Sequence, residues 1–180
     1  IPDSGNTVAL GISLESGIEY SMAYVRNHYA VVRTFLMPNH ADRVEKARMK
    51  LTLNAELIAG KRVILADDSV VRGVTTEFRV KELFAAGALE VHVRVGCPPQ
   101  IHPCVYGIDF PHADKLLAVK HSSCEAIRAY LGATSVGYLS LDGMVAATGL
   151  PKSNFCLACY TGNYPVPYDV KGYERAQGLV

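Results

Sequence analysis

"VILADDSVVRGVTT", residues 63–76, is the stretch whose reading decides the fold. Val63 to Ala66 form an apolar, β-branched run that reads as a buried strand, and Thr75 to Ala86 read as a helix ended by Gly87. Between them lie two adjacent carboxylates, Asp67 and Asp68, and a short polar loop. A loop that leaves a strand and enters a helix can turn its backbone N–H groups toward one anion, with the helix N-terminus behind them. Gly73 permits close backbone approach, and Ser69, Thr75 and Thr76 add hydroxyl donors suited to phosphate oxygens. Paired acids in front of such a cradle suit a ligand that also carries ribose-like hydroxyls or Mg²⁺. The plainer alternative is a capped turn whose acids merely complement the helix dipole.

Outward from this unit, helix-like and strand-like segments alternate. "GNTVALGISLESG" reads as a helix with Gly17 as its stop, "EYSMAYV" as a strand, and "ADRVEKARMKLTLNAELIAG" as a charged, helix-prone stretch. "EVHVRVG" and "SVGYLS" read as strands, and "SCEAIRAYLG" and "LDGMVAATG" as helices. The alternation predicts βαβ units and an α/β fold: a mostly parallel sheet with helices on both faces. In such sheets ligands bind outside the carboxyl ends of the strands, which is where "ADDS" falls. Residues 1–150 read as one domain. The Pro-, Gly-, Asn- and Tyr-rich segment 151–180 reads as an irregular tail laid over it.

Composition narrows the class. The chain has 180 residues, 49% of them hydrophobic, enough for one real core. Charge is nearly balanced, 18 Lys+Arg against 17 Asp+Glu, which gives no electrostatic reason to expect nucleic acid or an acidic membrane. No apolar run approaches the roughly 20 residues that span a bilayer, and "IPDSGNTVAL" has no signal-peptide character. A soluble cytoplasmic protein is expected. The start at Ile1, directly before a turn signal, suggests a piece of something longer.

Five cysteines, an odd number, argue against a secreted disulfide framework. Cys156 and Cys159 form Cys-x-x-Cys in the tail, and Cys104 lies far upstream. That spacing leaves a redox dithiol, a zinc half-site, a cluster half-site or plain burial open. The flanking Pro and Gly residues argue against a thioredoxin-like site. His102 could complete a Cys₃His zinc site, though a ligand so close to Cys104 makes awkward tetrahedral geometry. Cys97 and Cys124 read as small buried hydrophobes.

Taken together, these segments resemble one family. "VILADDSVVRGVTT" is similar to the phosphoribosylpyrophosphate-binding signature of the type I phosphoribosyltransferases, and "DDSVVRG" looks like its form in the amidophosphoribosyltransferases. "PDSG" at Pro2 to Gly5 resembles that family's pyrophosphate loop. "RNHY…RTF" at Arg26 to Phe35 and "RMKL" at Arg48 to Leu51 resemble its flexible loop and the segment after it. "PPQIHPCVYGID" and "CLACYTGNYP" resemble the cluster-binding segments of its iron–sulfur branch.

The resemblance implies a phosphoribosyltransferase fold and the formation of 5-phosphoribosylamine from phosphoribosylpyrophosphate and ammonia in purine synthesis. It implies that Asp67 and Asp68 hold the ribose hydroxyls and the Mg²⁺ shell, with Ser4 near the metal. Ser69, Val70, Val71, Arg72, Gly73, Val74, Thr75 and Thr76 would cradle the 5-phosphate. Asp3, Ser4, Gly5, Arg33 and Lys50 would address the pyrophosphate, with Arg33 and Lys50 as catalytic cations. Cys104, Cys156 and Cys159 would be three of four [4Fe–4S] ligands, the fourth lying upstream of residue 1. A glutaminase domain outside these residues would supply ammonia, purine nucleotides would inhibit, and the intact enzyme would be a homo-oligomer.

Three departures from the family pattern stand out. The Tyr29–Arg33 interval is one residue longer, with "AVV" in place of a glycine-containing pair. Val74 stands where Thr or Asn is usual. The strand that leads into "PDSG" is not in the chain. Two other readings remain open at this point: a non-catalytic nucleotide-sensing domain of the same fold, and a nucleobase salvage transferase.

Overall fold

A computed structural model describes residues 1–27, 51–108, 112–169 and 172. Helix α1 (Gly5–Ser16) ends at Gly17, whose φ of 73° is the left-handed value a helix stop requires. Strands β1 (Tyr24–Arg26) and β2 (Leu51–Leu53) pair antiparallel, Tyr24 opposite Leu53 and Arg26 opposite Leu51. Of the helix-prone stretch 41–60, residues 41–50 lie outside the described residues, and in the rest Leu51–Leu53 is strand and Ala55–Leu57 a single 3₁₀ turn capped by the Asn54 side chain. Asn54 bonds the backbone of Glu56 and so offers the chain a turn in place of a helix.

The parallel sheet follows. Strand β3 (Arg62–Asp67) pairs with β4 (Glu90–Val95), and β4 with β5 (Ser135–Tyr138), in the order β3-β4-β5. Helix α2 (Val74–Ala85) makes the first crossover. The short α3 (Leu117–Lys120) and α4 (Cys124–Leu131) lie in the second, followed by α5 (Leu141–Ala146) after β5 and α6 (Ala158–Thr161) in the tail. The sheet is flanked by helices, the α/β architecture expected. Helices α2 and α4 pack on each other and on β4 and β5, while α1 lies on β3.

The alternation in "EVHVRV" explains the core. Val91, Val93 and Val95 are buried together with Val80 and Leu83 of α2 and Ile127 and Leu131 of α4. Each such side chain contributes roughly 1.5–3 kcal/mol when fully buried. The intervening Glu90, His92 and Arg94 make a polar row, with His92 Nδ1 and Nε2 2.8 Å from Ser135 Oγ and Glu90 Oε2.

One buried charge mounts the β1–β2 ribbon on this core. Arg79 of α2, only 1% exposed, donates to Glu82 at 2.7 Å and sits 5.0 Å over the rings of Tyr24 and Phe78. The Tyr24 hydroxyl donates to the same Glu82 oxygen at 2.7 Å. Burial, reinforced by Glu82, pushes the Tyr24 phenol well above its ordinary pKa. β1 is therefore fixed to α2 by a compact ionic knot.

Candidate active site

The acid pair sits where the parallel sheet predicts a ligand. Asp67 is the last residue of β3, and Asp68 is exposed in the loop beyond it. The loop then turns inward and out again. Val70 and Thr76 are buried, Ser69 and Val71 are half-buried, and Asp68, Arg72, Val74 and Thr75 face solvent. The Val71 carbonyl accepts from Leu117 N–H at 2.8 Å, which ties the loop to α3. Gly73 has φ of 80°, and a Cβ there would lie 3.0 Å from Leu117 and 3.1 Å from Tyr130. Conformation and packing both require glycine at this point.

The helix ends carry the electrostatics. Ser123 and Ser140 cap α4 and α5, each accepting from a backbone N–H at 3.1 Å. Neither α1 nor α2 has a side-chain cap among the described residues. In α1 the Gly5 and Asn6 N–H groups are taken by the Ile1 and Asp3 carbonyls at 3.0 and 3.2 Å, so that end offers an anion chiefly its dipole, while the first turn of α2 offers both dipole and N–H groups.

The N-terminus of α1 meets the acid pair, and the loop after Asp68 leads into the N-terminus of α2. Gly5 opens α1, and a Cβ on it would fall 2.9 Å from the Ala66 carbonyl, 3.1 Å from Asp67 Cα and 3.4 Å from Asp67 Oδ1. The turn Pro2 to Gly5 therefore lies directly against the carboxyl end of β3, although more than sixty residues separate them in sequence. The turn contains a cis Pro2–Asp3 peptide bond, and Gly5 N–H closes it on the Ile1 carbonyl at 3.0 Å. Ser4 and Asp3 are exposed, and the Ser4 carbonyl accepts from the Thr7 hydroxyl at 3.1 Å. From the far side, Arg26 at the end of β1 forms an ion pair with the Asp3 carboxylate.

The Asp67 carboxyl is pushed up to about 7, chiefly by burial and further by the neighbouring Asp68. Oδ1 accepts from Asp68 N–H at 3.1 Å. A half-buried, hard-oxygen carboxylate beside a second, exposed one is a donor set that a small divalent cation would relieve of its repulsion.

Of the residues expected at the site, Asp3, Ser4, Gly5, Asp67, Asp68 and the loop Ser69 to Thr76 are brought together. Arg33, Lys50 and most of the flexible-loop segment lie outside the described residues. Two contributors escape sequence reasoning. Arg26 enters it only as part of a loop motif. Gly96, just past β4, gives its N–H to the Asp67 carbonyl at 2.9 Å and packs so closely on Val8 that a Cβ would lie 2.6 Å from it. The glycine directly after "EVHVRV" is the available signal. A groove of about 330 Å³ follows the outer edge of β3, lined in part by Ile12, Ile18, Met22, Ile58 and Ile64. It touches this site only at Ile1, Pro2, Asn6 and Ala66, so it is a feature of the strand edge rather than the ligand cradle.

The cysteine segments also meet. Ile101 and His102 both give their N–H to the Cys159 carbonyl at 3.0 Å, and the Tyr164 hydroxyl donates to the Pro103 carbonyl at 2.7 Å. The thiols of Cys104 and Cys156 both lie close enough to Cys159 to raise its pKa, though burial is the larger cause. Among the described residues no group of three or more His, Cys, Asp or Glu side chains is set to hold a metal ion. Instead the His102 ring packs on Gly162, where a Cβ would lie 2.9 Å from Nε2. Cys97 is buried as expected, with its thiol pushed up to about 11 by burial. Cys124 is not: it is the exposed first residue of α4. The apolar positions of that helix, Ile127 and Leu131, turn toward the core and leave Cys124 outside.

An α/β sheet with an acid-pair loop and an uncapped helix N-terminus at its carboxyl end defines a type I phosphoribosyltransferase-like protein. Over 92% of its length the chain is similar to a part of the amidophosphoribosyltransferases. It is 48% identical over 165 residues to the amidophosphoribosyltransferase of Methanocaldococcus jannaschii, covering 92% of this chain and 34% of that protein. It is 45% identical over 170 residues to the Mycobacterium leprae enzyme, covering 92% and 30%. The solved glutamine phosphoribosylpyrophosphate amidotransferase from B. subtilis, complexed with ADP and GMP, superimposes with a TM-score of 0.80. Its identity is 42%, and the match covers 94% of this chain and 38% of that one. The chain thus spans about a third of the length of the relatives it matches. No family model matches it. Among the described residues, no helix is long and apolar enough to cross a membrane.

Proposed function

We propose that this chain is the phosphoribosyl-transfer part of an amidophosphoribosyltransferase acting in the cytoplasm in purine synthesis. It binds phosphoribosylpyrophosphate, passes the phosphoribosyl group to ammonia and releases pyrophosphate. The observation that carries this reading is the packing of the α1 N-terminus against Asp67, whose own loop runs on into α2, with neither helix capped by a side chain. Such a site offers two anion cradles, for a 5-phosphate and a pyrophosphate, with hydroxyl acceptors between them. The names of the relatives favour an enzyme over a sensor or a salvage transferase.

Each residue then has a task. The loop Ser69 to Thr76 holds the 5-phosphate through its N–H groups and hydroxyls, and the loss of a hydroxyl at Val74 leaves those N–H groups intact. Asp67 and Asp68 accept from the ribose hydroxyls. The turn Asp3 to Gly5 holds the pyrophosphate, assisted by Arg33 and Lys50. During the reaction the bond from the anomeric carbon to the pyrophosphate oxygen breaks, and a carbon–nitrogen bond to ammonia forms with loss of a proton. The chain's contribution is alignment and charge stabilisation. Mg²⁺, held by Asp67 and Asp68 with Ser4 alongside, would neutralise charge on the departing pyrophosphate. Purine nucleotides, whose phosphates match the same cradle, are the expected inhibitors, and a homo-oligomer is the expected assembly.

In the same reading residues 1–150 are the transferase domain and 151–180 a tail whose Cys156 and Cys159, with Cys104, furnish three ligands of a [4Fe–4S] cluster. The influence of the Cys104 and Cys156 thiols on Cys159, and the docking of Cys159 on Ile101 and His102, support this reading. The test of the transfer site is calorimetry of phosphoribosylpyrophosphate with Mg²⁺ on the wild type and on Asp68→Asn. The mutant should bind on the order of 1–3 kcal/mol more weakly. Equal affinity would remove the acid pair from the site.

A further inference from the structure

Arg26 belongs to none of the roles above, yet its guanidinium is paired with Asp3 in the middle of the pyrophosphate turn. We propose that Arg26 is a positioning residue for the transfer reaction: it holds Asp3, and through Asp3 it seats the turn against the acid pair. This inference rests on the reading of the site as a phosphoribosylpyrophosphate site.

Three observations support it. First, Arg26 stands on a rigid mount. Tyr24 and Arg26 are two apart on one strand and so project to the same side, and Tyr24 is locked into the buried knot with Glu82 and Arg79. Second, the turn is held at two points. Gly5 rests on the backbone of Ala66 and Asp67, and Arg26 reaches the turn from the ribbon. Third, the charges need this arrangement. A bare carboxylate in a turn that receives pyrophosphate would repel it, whereas a paired one presents a neutral face. The two side chains are 53% and 57% exposed, so the effect is that of a surface ion pair, modest and measurable.

The competing role for an arginine here is direct attraction of the anion, and a double-mutant cycle separates the two. Phosphoribosylpyrophosphate with Mg²⁺ is titrated calorimetrically into the wild type, Arg26→Gln, Arg26→Lys, Asp3→Asn and the double mutant Arg26→Gln/Asp3→Asn. Thermal unfolding confirms that each is folded. Positioning through the pair predicts that Arg26→Gln and Asp3→Asn each bind about threefold to fivefold more weakly. The double mutant should be no worse than either, and Arg26→Lys should return to within about twofold of wild type. Tighter binding by Asp3→Asn, or an undiminished effect of Arg26→Gln in the Asp3→Asn background, would assign Arg26 to the anion itself and overturn the proposal. Unchanged binding by Arg26→Gln would also overturn it while leaving the transferase reading intact. A wild type that does not bind would remove that reading, and this inference with it.

Discussion

Replacing Gly5 with alanine asks how closely the pyrophosphate turn must sit on the acid pair. The added Cβ would fall 2.9 Å from the Ala66 carbonyl oxygen and 3.1 Å from Asp67 Cα, where ordinary contact begins near 3.4 Å. Both neighbours are backbone atoms of a paired strand and cannot swing aside, so the turn must lift by about half an ångström. Overpacking of this kind costs about 1–3 kcal/mol in stability. Helix propensity returns less than the usual ~1 kcal/mol, because Gly5 is the first residue of its helix. A misplacement near 1 Å can cost about a hundredfold in rate, so half of that should cost about tenfold in turnover with ammonium salt. Gly11→Ala is the control. It lies within the same helix, where an added Cβ would meet nothing within 4 Å, and should gain about 0.5–1 kcal/mol without altering binding. Urea unfolding gives the stabilities, and calorimetry with phosphoribosylpyrophosphate and pyrophosphate release gives the function. A Gly5→Ala protein that binds and turns over like wild type would refute the claim that the turn and the acid pair work as one site.

Gly73→Ala should lose about 1–3 kcal/mol in urea unfolding, since φ of 80° is costly for alanine and Leu117 and Tyr130 close the space around it. Asp67, with its carboxyl held near 7, should make Mg²⁺ affinity fall by about tenfold per pH unit below that value, because the proton and the cation compete for one group. Its folded pKa lies above the unfolded one, so without cation native stability should decline as pH rises from about 4 to 7. The Mg²⁺-induced rise in Tm should accordingly be larger at pH 8 than at pH 5, and an equal rise at both would exclude Asp67 as a ligand. Anaerobic reconstitution with iron and sulfide should colour the wild type and Cys124→Ser, whose cysteine is remote on α4, but not Cys159→Ser. A colourless, iron-free wild type would sink the cluster assignment.

Strong local signals were the legible part of this molecule. Gly17, Gly87 and Gly132 mark helix ends that the structure places within a residue or two of expectation. "RVILAD" and "EVHVRV" are strands by pattern alone, the first continuous and the second alternating. What failed lacked such a signal. Leu51–Leu53 has apolar residues that serve a strand as well as a helix, and pairing with β1 decided the matter. Cysteine is usually buried, which is the whole basis for expecting Cys124 inside, but its helix turns Ile127 and Leu131 inward instead. At the site, the acid pair and its loop could be read because their residues are contiguous. Arg26 and Gly96 could not, because they reach Asp3 and Asp67 only through the tertiary fold.

The two crossovers of the parallel sheet differ in length, and this sets an order of assembly. β3 and β4 are joined through α2 alone, while the path from β4 to β5 runs from Gly96 to Thr134 and carries the segment that receives the tail. Closing a longer loop costs more entropy and slows the contacts that depend on it. The β3–α2–β4 unit, which contains the loop proposed for the 5-phosphate, is therefore expected to form first, and the docking of Cys159 on Ile101 and His102 last. Pulsed hydrogen exchange during refolding would show this as early protection at Leu65 and Val93 and late protection at Ile101 and His102. On the proposed reading, the loop for a sugar phosphate would be in place before Cys104, Cys156 and Cys159 have gathered, and cluster insertion would be a finishing step rather than a folding template.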